Sequence, residues 1–254
     1  MTTFLVIWFV SAFLAALWAT YDLIANQPKI MPVIKIAWVL IILYLGVIGL
    51  ALYIYSCRVR PDQRHDEFVA PMWKRALGST IHCVSGDALG IVIVAVLVSN
   101  TRLPMAVEFA IEYVFAFLFG WLLFQVTPIM VFMGKTFREA FFAGVRAEFV
   151  SLTVMVMGMF PTMYALMKAV GGSSGHMPSP LSLEFWGIMS ASIGVGFVVS
   201  YPASWWLVKV GWKRGMGSAH VMGEGGGRRG SDVTGRLAID QQIQLDPTAR
   251  DHSY

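Results

Sequence analysis

Six long apolar blocks dominate the hydrophobic pattern of this chain, and most charged residues fall between them. Each block has about the 20 residues that a helix needs to cross a bilayer core roughly 30 Å thick. Helices are expected because peptide groups in hydrocarbon must find hydrogen bonds within their own segment. The predicted spans are approximately Phe4 to Ile24, Val33 to Tyr55, Thr80 to Ser99, Val107 to Phe132, Phe149 to Val170 and Leu183 to Lys209. The pattern therefore predicts an all-α, polytopic integral membrane helix bundle over residues 1–214.

Composition agrees with this pattern. Of 254 residues, 57% are hydrophobic and only 13% are charged, with a mean hydropathy of +0.65. About a quarter of the residues in a soluble domain are charged, so the lipid bilayer is the expected surrounding. The formal net charge of +4 comes from basic residues in short connections and the tail, a placement typical of contacts with anionic lipids rather than nucleic acid.

The distribution of Lys and Arg predicts the orientation, because short cytoplasmic loops collect positive charge. Fifteen of the 19 basic residues follow predicted spans two, four and six, and the other four are Lys29, Lys35, Arg102 and Lys168. Six spans with this charge pattern place both termini in the cytoplasm. Residues 215–254 begin with a glycine run and end polar, so they are predicted to form a disordered cytoplasmic tail.

The third span contains the clearest candidate chemistry, because His82, Cys83 and Asp87 lie inside one apolar run. Residues four apart are neighbours on a helix, so Cys83 and Asp87 share a face. His82 is expected at the start of the span, with Asp87 five residues deeper. A carboxylate at membrane depth costs on the order of 3 kcal/mol and usually faces the bundle interior or water. The sequence therefore predicts a partner for Asp87.

Two interpretations of Asp87 are distinguished by the residues that face it. If Met159, Glu148 or Tyr201 does, a functional site is indicated; if only small residues and backbone carbonyls do, Asp87 is a packing group. Tyr201 is followed by Pro202, which is expected to kink the sixth span in its cytoplasmic half.

Gly86 and Gly90 form a GxxxG pattern beside this acid. In a membrane such spacing lets a second helix approach closely. The second helix can belong to the same chain or to a partner, so a homo-oligomer or hetero-oligomer through the Gly86/Gly90 face is one predicted role of this pattern.

Methionines recur every four residues along the fifth span, at Met155, Met159, Met163 and Met167. Thioethers are soft ligands suited to Cu(I), and a nearby thiol and imidazole would strengthen such a site. Methionine is equally an adaptable apolar filler, so packing is the alternative interpretation. The candidate copper set consists of His82, Cys83, Asp87, Met155 and Met159.

Two further acids lie in or near predicted spans. Glu112 is intramembrane and could pair with Arg102 or Lys168, or belong to a proton or ion path. Glu148 stands at the inner start of span five and is predicted to pair with Arg146 or another loop arginine.

No catalytic motif was found. The sequence has no phosphate-binding loop of the Walker type, no HExxH, no CxxC and no GxSxG. An enzymatic function is therefore not favoured.

The chain resembles a bacterial membrane family, the domain of unknown function 4396, over roughly residues 74–216. The resemblance depends on three groups of residues: His82, Cys83 and Gly86; Glu148, Gly158 and Met159; and Phe185, Trp186, Gly196, Phe197, Tyr201, Pro202, Trp205, Trp206, Leu207 and Gly211. It implies a multi-pass protein of the bacterial inner (cytoplasmic) membrane without an established activity. Family members often carry a second Cys where this chain has Asp87, which makes the metal set harder and less suited to Cu(I).

Three functional hypotheses follow. The first is handling of a transition metal, copper above all, at a cytoplasmic-side intramembrane site. The second is a structural or accessory subunit of a membrane complex that has no substrate of its own. The third is a proton-coupled carrier of small solutes that uses Asp87 and Glu112.

Overall fold

The computed structural model describes residues 2–28, 30–59, 68–99, 101, 103–126, 130, 136–171 and 178–213. Every regular element in these ranges is helical, as the hydrophobic pattern predicts. The helices are α1 (Thr2–Ala25), α2 (Pro32–Leu45), α3 (Val47–Ser56), α4 (Met72–Val98), α5 (Met105–Phe119), a π-helix (Gly120–Val126), α6 (Phe137–Gly171) and α7 (Leu183–Lys209). The predicted tail, residues 215–254, lies outside the described residues.

Five helical stretches in the described part of the chain are long and apolar enough to cross a membrane. They are Thr2–Ala25, Met72–Val98, Met105–Val126, Gly144–Val170 and Leu183–Lys209. The prediction of a multi-span helical membrane protein is confirmed at this level.

The predicted second span is not one helix. It consists of α2 and α3, which fold back on each other at Gly46. A Cβ atom built at Gly49 would lie 2.9 Å from the Ile41 carbonyl oxygen, and the Trp38 and Tyr53 rings meet with their centroids 5.4 Å apart. In one continuous helix Trp38 and Tyr53 would be separated by about 22 Å along the axis. The prediction of a single span here was wrong, because hydropathy measures apolar length and does not register a chain reversal inside an apolar run.

Gly46 makes this reversal. Its φ of +59° and ψ of −135° lie in a region that residues with a Cβ rarely adopt. The Trp8 ring of α1 also covers the turn, at 3.1 Å from where a Cβ of Gly46 would be. Glycine is therefore required at this position for its backbone conformation and for space.

Hydroxyl groups from neighbouring helices satisfy carbonyl oxygens of the hairpin formed by α2 and α3. Ser190 of α7 donates to the Tyr44 carbonyl beside the tip, and Ser85 of α4 donates to the Ala37 carbonyl at 2.9 Å. Interrupted backbone at membrane depth is tolerated only where protein or water satisfies its polar groups. The hairpin is thus built into the bundle.

The open end of the hairpin is tied to the end of α1 through Asp22, which is buried. Its carboxylate accepts hydrogen bonds from the Tyr53 hydroxyl at 2.7 Å, Arg58 Nε at 2.9 Å and Asn26 Nδ2 at 2.8 Å. Gln27 Nε2 also donates to the Val59 carbonyl at 2.9 Å. The chain therefore enters α2 and leaves α3 at the same end of α1.

Helix α4 is the centre of the bundle and packs against α2, α5, α6 and α7. It begins at Met72, directly after Pro71, and not near Thr80 as the apolar run suggests. Lys74 in its first turn interrupts the apolar run without interrupting the helix. Asp87 consequently lies 15 residues, or about 22 Å, from the start of α4, near the middle of that helix.

We expect Gly46→Ala to lower the free energy of unfolding by about 1–3 kcal/mol, because alanine at this φ and ψ is strained. Gly194→Ala is the matched control, since a Cβ there would lie 3.4 Å from Leu45 Cδ2, an ordinary contact. Thermal unfolding of both variants in detergent measures the difference. Equal loss in the two variants would contradict the role given to Gly46.

Candidate functional site

Asp87 of α4 and Glu148 of α6 face each other beside Gly120, the first residue of the π-helix. Both acids are fully buried. A methyl group built at Gly120 would overlap Asp87 Oδ1 and Glu148 Oε1, so these two oxygens occupy the same small space beside the glycine. No donor among the described residues reaches either oxygen. The two acids therefore face each other at these oxygens without a hydrogen-bond donor from the described residues.

Glu148 is thus the partner that Asp87 requires, and it is one of the residues whose presence indicates a site rather than packing. The prediction that Glu148 pairs with Arg146 was wrong. Glu148 lies on the buried stripe of α6, whereas Arg146, two residues earlier, is exposed.

Gln125 and Cys83 complete the wall around Glu148. Gln125 Nε2 donates to Glu148 Oε2 at 2.6 Å and lies 3.5 Å from Cys83 Sγ. The Cys83 thiol lies 3.6 Å from the same Glu148 oxygen. One oxygen of Glu148 is therefore held by neutral donors, while the other turns toward Asp87.

Lys213 brings a positive charge to this cluster from the end of α7. Gly211 adopts a φ of +77°, and the backbone N–H groups of Trp212 and Lys213 then donate to the Leu207 carbonyl at 2.9 and 3.0 Å. This glycine cap folds the chain back over the helix end. Lys213 is consequently buried, and its Nζ lies 2.8 Å from Cys83 Sγ.

The surroundings of Lys213 keep it charged. Burial alone lowers the pKa of an ammonium, but Cys83, Glu148 and Asp87 outweigh burial and raise the pKa of Lys213 above its ordinary value. The Lys213 ammonium thus stands beside two carboxyl groups. We refer to Asp87, Glu148, Cys83, Gln125 and Lys213 as the carboxylate cluster.

The π-helix is what lets Gly120 and Gln125 both reach the carboxylate cluster. On an α-helix, residues five apart point about 140° away from each other. In a π-helix the hydrogen bonds run from i to i+5, so residues five apart lie on nearly the same face. Trp121 Nε1 donates to the Phe141 carbonyl at 3.1 Å and fixes the π-helix against α6.

His82 contacts an aromatic ring, and Tyr201 contacts the start of α4. The His82 ring meets Phe124 edge-on, with a centroid distance of 5.4 Å. The Tyr201 hydroxyl donates to the Trp73 carbonyl at 3.4 Å, next to the start of α4.

Met155 and Met159 fill the interface between α6 and α7. A Cβ built at Gly196 would lie 3.2 Å from Met155 Cγ and from Met159 Cβ. Met155 is also seven residues, about 10 Å, along the axis from Glu148. Among the described residues, no group of three or more His, Cys, Asp or Glu side chains could hold a metal ion. The predicted copper set gains no support from these positions and stays a prediction.

The Gly86/Gly90 face is used inside the chain. A Cβ at Gly90 would lie 2.7 Å from the Phe115 carbonyl and 2.8 Å from Ala116 Cα, and a Cβ at Gly86 would lie 2.7 Å from the Phe124 ring. The glycines therefore seat α5 and the π-helix against α4. A partner that bound through this face would have to displace α5, so the predicted oligomer contact stays untested.

Sequence reasoning missed Gly120, Gln125 and Lys213. Gln125 is the one amide in the predicted fourth span, which was a usable signal. In the sequence Lys213 is only a charge that sets orientation, because nothing there shows that Gly211 turns the chain back toward α4.

The family model described as Domain of unknown function (DUF4396) matches residues 72–213, more than half of the chain. The chain belongs to this family. The DUF4396 region starts at the first residue of α4 and ends at Lys213, so it contains the whole carboxylate cluster and leaves out α1, α2 and α3. No curated protein and no solved structure matches the chain.

We expect Lys213→Met to destabilise the protein more strongly as pH rises. Without the ammonium, the two buried acids avoid unpaired negative charge only by keeping their protons. The folded state then binds more protons than the unfolded chain, so the free energy of unfolding falls as pH rises. The loss should approach about 3 kcal/mol in mildly alkaline buffer.

Lys209→Met is the matched control, since Lys209 is an exposed lysine in the last turn of α7, four residues before Lys213. Thermal unfolding in detergent at several pH values gives the comparison. A pH-independent effect of Lys213→Met, equal to that of the control, would contradict a charge role for Lys213.

Proposed function

We propose that this DUF4396 protein is a proton-coupled membrane carrier in which Asp87 and Glu148 bind the coupling proton beside the fixed charge of Lys213. The observation that carries the proposal is the convergence of two buried carboxyl groups at Gly120 with one ammonium next to them.

Charge explains why a proton belongs to this site. With both acids ionised, the carboxylate cluster has a net charge of −1. Like charges that share so small a space repel strongly; at a separation of roughly 4 Å the repulsion is about 4 kcal/mol at an effective dielectric of 20. One bound proton removes the repulsion and leaves the remaining carboxylate with Lys213. Two carboxyl groups that share a site commonly hold one proton between them for this reason.

Proton binding at this place can act on several helices at once. The cluster joins α4, the π-helix, α6 and the end of α7 through single side chains. Moving a two-state equilibrium from 1:99 to 99:1 takes about 5.5 kcal/mol, which is comparable to the energy that a proton changes here. Ionisable residues within membrane helices often form proton relays of this kind.

The two other functional hypotheses have less support. Copper handling needs several soft ligands, whereas Cys83 is the one soft group of the carboxylate cluster, and Met155 and Met159 lie against Gly196. A purely structural subunit gains nothing from two buried acids, each of which is costly in a membrane.

We further infer that the protein lies in a bacterial inner membrane with its C-terminus in the cytoplasm and its N-terminus on the opposite side. The hairpin of α2 and α3 supports this inference, because its two ends meet the same end of α1. Lys29 and Lys35 then join the basic side, which leaves only Arg102 and Lys168 on the other. The charge asymmetry is stronger than with six spans and both termini inside.

Thiol labelling with a membrane-impermeant maleimide tests this orientation. We expect Thr3→Cys to react in intact spheroplasts and Ser253→Cys to react only after permeabilisation. The wild-type chain provides the blank, since Cys57 and Cys83 are both buried. If Thr3→Cys reacted only after permeabilisation, the N-terminus would lie in the cytoplasm, as in the six-span arrangement.

Infrared difference spectroscopy tests the proton site itself. As pH falls, we expect the purified wild-type protein to gain the C=O stretch of a protonated carboxyl group, and we expect Asp87→Asn and Glu148→Gln each to change that band. Glu184→Gln, in the first turn of α7, is the control and should retain it.

Coupling is then measured in proteoliposomes, where an inward proton gradient should accelerate uptake of a solute from a labelled panel in the wild type and not in Asp87→Asn. If the wild type and Asp87→Asn showed the same carboxyl bands at every pH, the proposal would be ruled out. Stoichiometric copper that is lost in a His82→Ala, Cys83→Ala double variant would favour metal handling in its place.

A further inference from the structure

Glu112 of α5 is a second buried acid, separate from the carboxylate cluster. It is 2% exposed, and its Oε2 has no hydrogen-bond partner. Glu112 and Ala116 are the two buried residues of α5. With Gly120 they follow each other at intervals of four residues, so all three share one face of the helix.

This face of α5 lies against α4. The backbone of Ala116 contacts Gly90 so closely that a Cβ at Gly90 would lie 2.8 Å from Ala116 Cα. Gly120, one turn further, borders Asp87 and Glu148. Glu112 is eight residues before Gly120, or about 12 Å along the axis. The seam between α4 and α5 thus has Glu112 near one end and Asp87 near the other. Between these acids lies the Gly90–Ala116 contact, which has no bulky side chain.

No cation among the described residues neutralises Glu112. On its own helix the neighbouring charge is Glu108, one turn earlier, which adds negative potential. From α4, residues 91–98 include no titratable group, and the π-helix has none either. On α6, the Lys168 ammonium lies 4.5 Å from the Tyr164 ring centroid, and Thr153 pairs with the Tyr113 hydroxyl at 3.0 Å. The predicted partner Arg102 lies outside the described residues.

We propose that Glu112 is a second proton-binding site that exchanges protons with Asp87 and Glu148 along the seam between α4 and α5. This inference rests on the proposed function. The O–H bond of the Glu112 carboxylic acid breaks, water in the opened seam accepts the proton, and a new O–H bond forms on the carboxylate pair. The Gly90 and Ala116 contact excludes that water while the helices are closed, so exchange requires α4 and α5 to separate.

The first test is the infrared titration. We expect Glu112→Gln to lose one carboxyl band and to keep the band that depends on Asp87 and Glu148, while Glu184→Gln keeps both. A Glu112→Gln spectrum identical to that of the wild type at every pH would overturn the inference and leave the carboxylate pair intact. Absence from the wild type of the band that depends on Asp87 and Glu148 would instead overturn the proposed function. The Glu112 band is measured separately, so the two failures can be distinguished.

The second test is the rate at which the pair band forms after a pH jump in proteoliposomes. When protons are supplied from the N-terminal side, Glu112→Gln should slow this rate by about 100-fold or more without reducing its amplitude. Glu112→Asp keeps an exchangeable proton and should recover most of the rate. An unchanged rate in Glu112→Gln would overturn the relay role.

If Glu112→Gln unfolds in detergent, Glu112→Asp replaces it in the titration. Its carboxyl band should then shift, because the shorter side chain moves the acid within the seam. An unshifted spectrum would overturn the inference.

Discussion

Two buried carboxyl groups that meet over one glycine impose the main constraint on this structure. Asp87 and Glu148 come from helices that are far apart in the sequence, and they approach because Gly120 offers no side chain between them. Such a pair is unstable in a membrane unless charge is supplied or removed. Lys213 supplies one charge, and in the proposed function a proton shared by the two acids removes the other.

Several unusual local features are explained by this constraint. The π-helix turns both Gly120 and Gln125 toward the pair, and the Gly211 cap brings Lys213 back from the end of α7. Gly86 and Gly90 allow α5 to pack closely enough on α4 for Gly120 to reach Asp87. Together these features bring side chains from four elements into one cluster. π-Helical turns are frequent at functional sites.

The hairpin of α2 and α3 presents a separate problem, because the helix is interrupted at membrane depth and leaves backbone polar groups to be satisfied. Its solution uses neighbours: serine hydroxyls from α4 and α7 bind its carbonyl groups, and Asp22 holds the returning end through Tyr53 and Arg58. The hairpin precedes the DUF4396 region and packs on α4 and α7, the two helices that contribute Asp87 and lead to Lys213. It therefore supports the carboxylate cluster from outside.

The sequence by itself determined that the chain is a multi-span helical membrane protein, because apolar length and charge placement depend on local composition alone. It also determined that Asp87 needs a partner and that Gly86 and Gly90 mark a close helix contact, since these follow from the cost of burying charge and from glycine's lack of a side chain. Only the tertiary structure decided that the partner is Glu148, that Lys213 is buried beside Cys83 and that Met155 and Met159 pack against Gly196. It also decided that the second apolar block turns back at Gly46. These outcomes depend on how distant helices meet and on the backbone angles of single glycines, and neither leaves a trace in hydropathy or residue spacing.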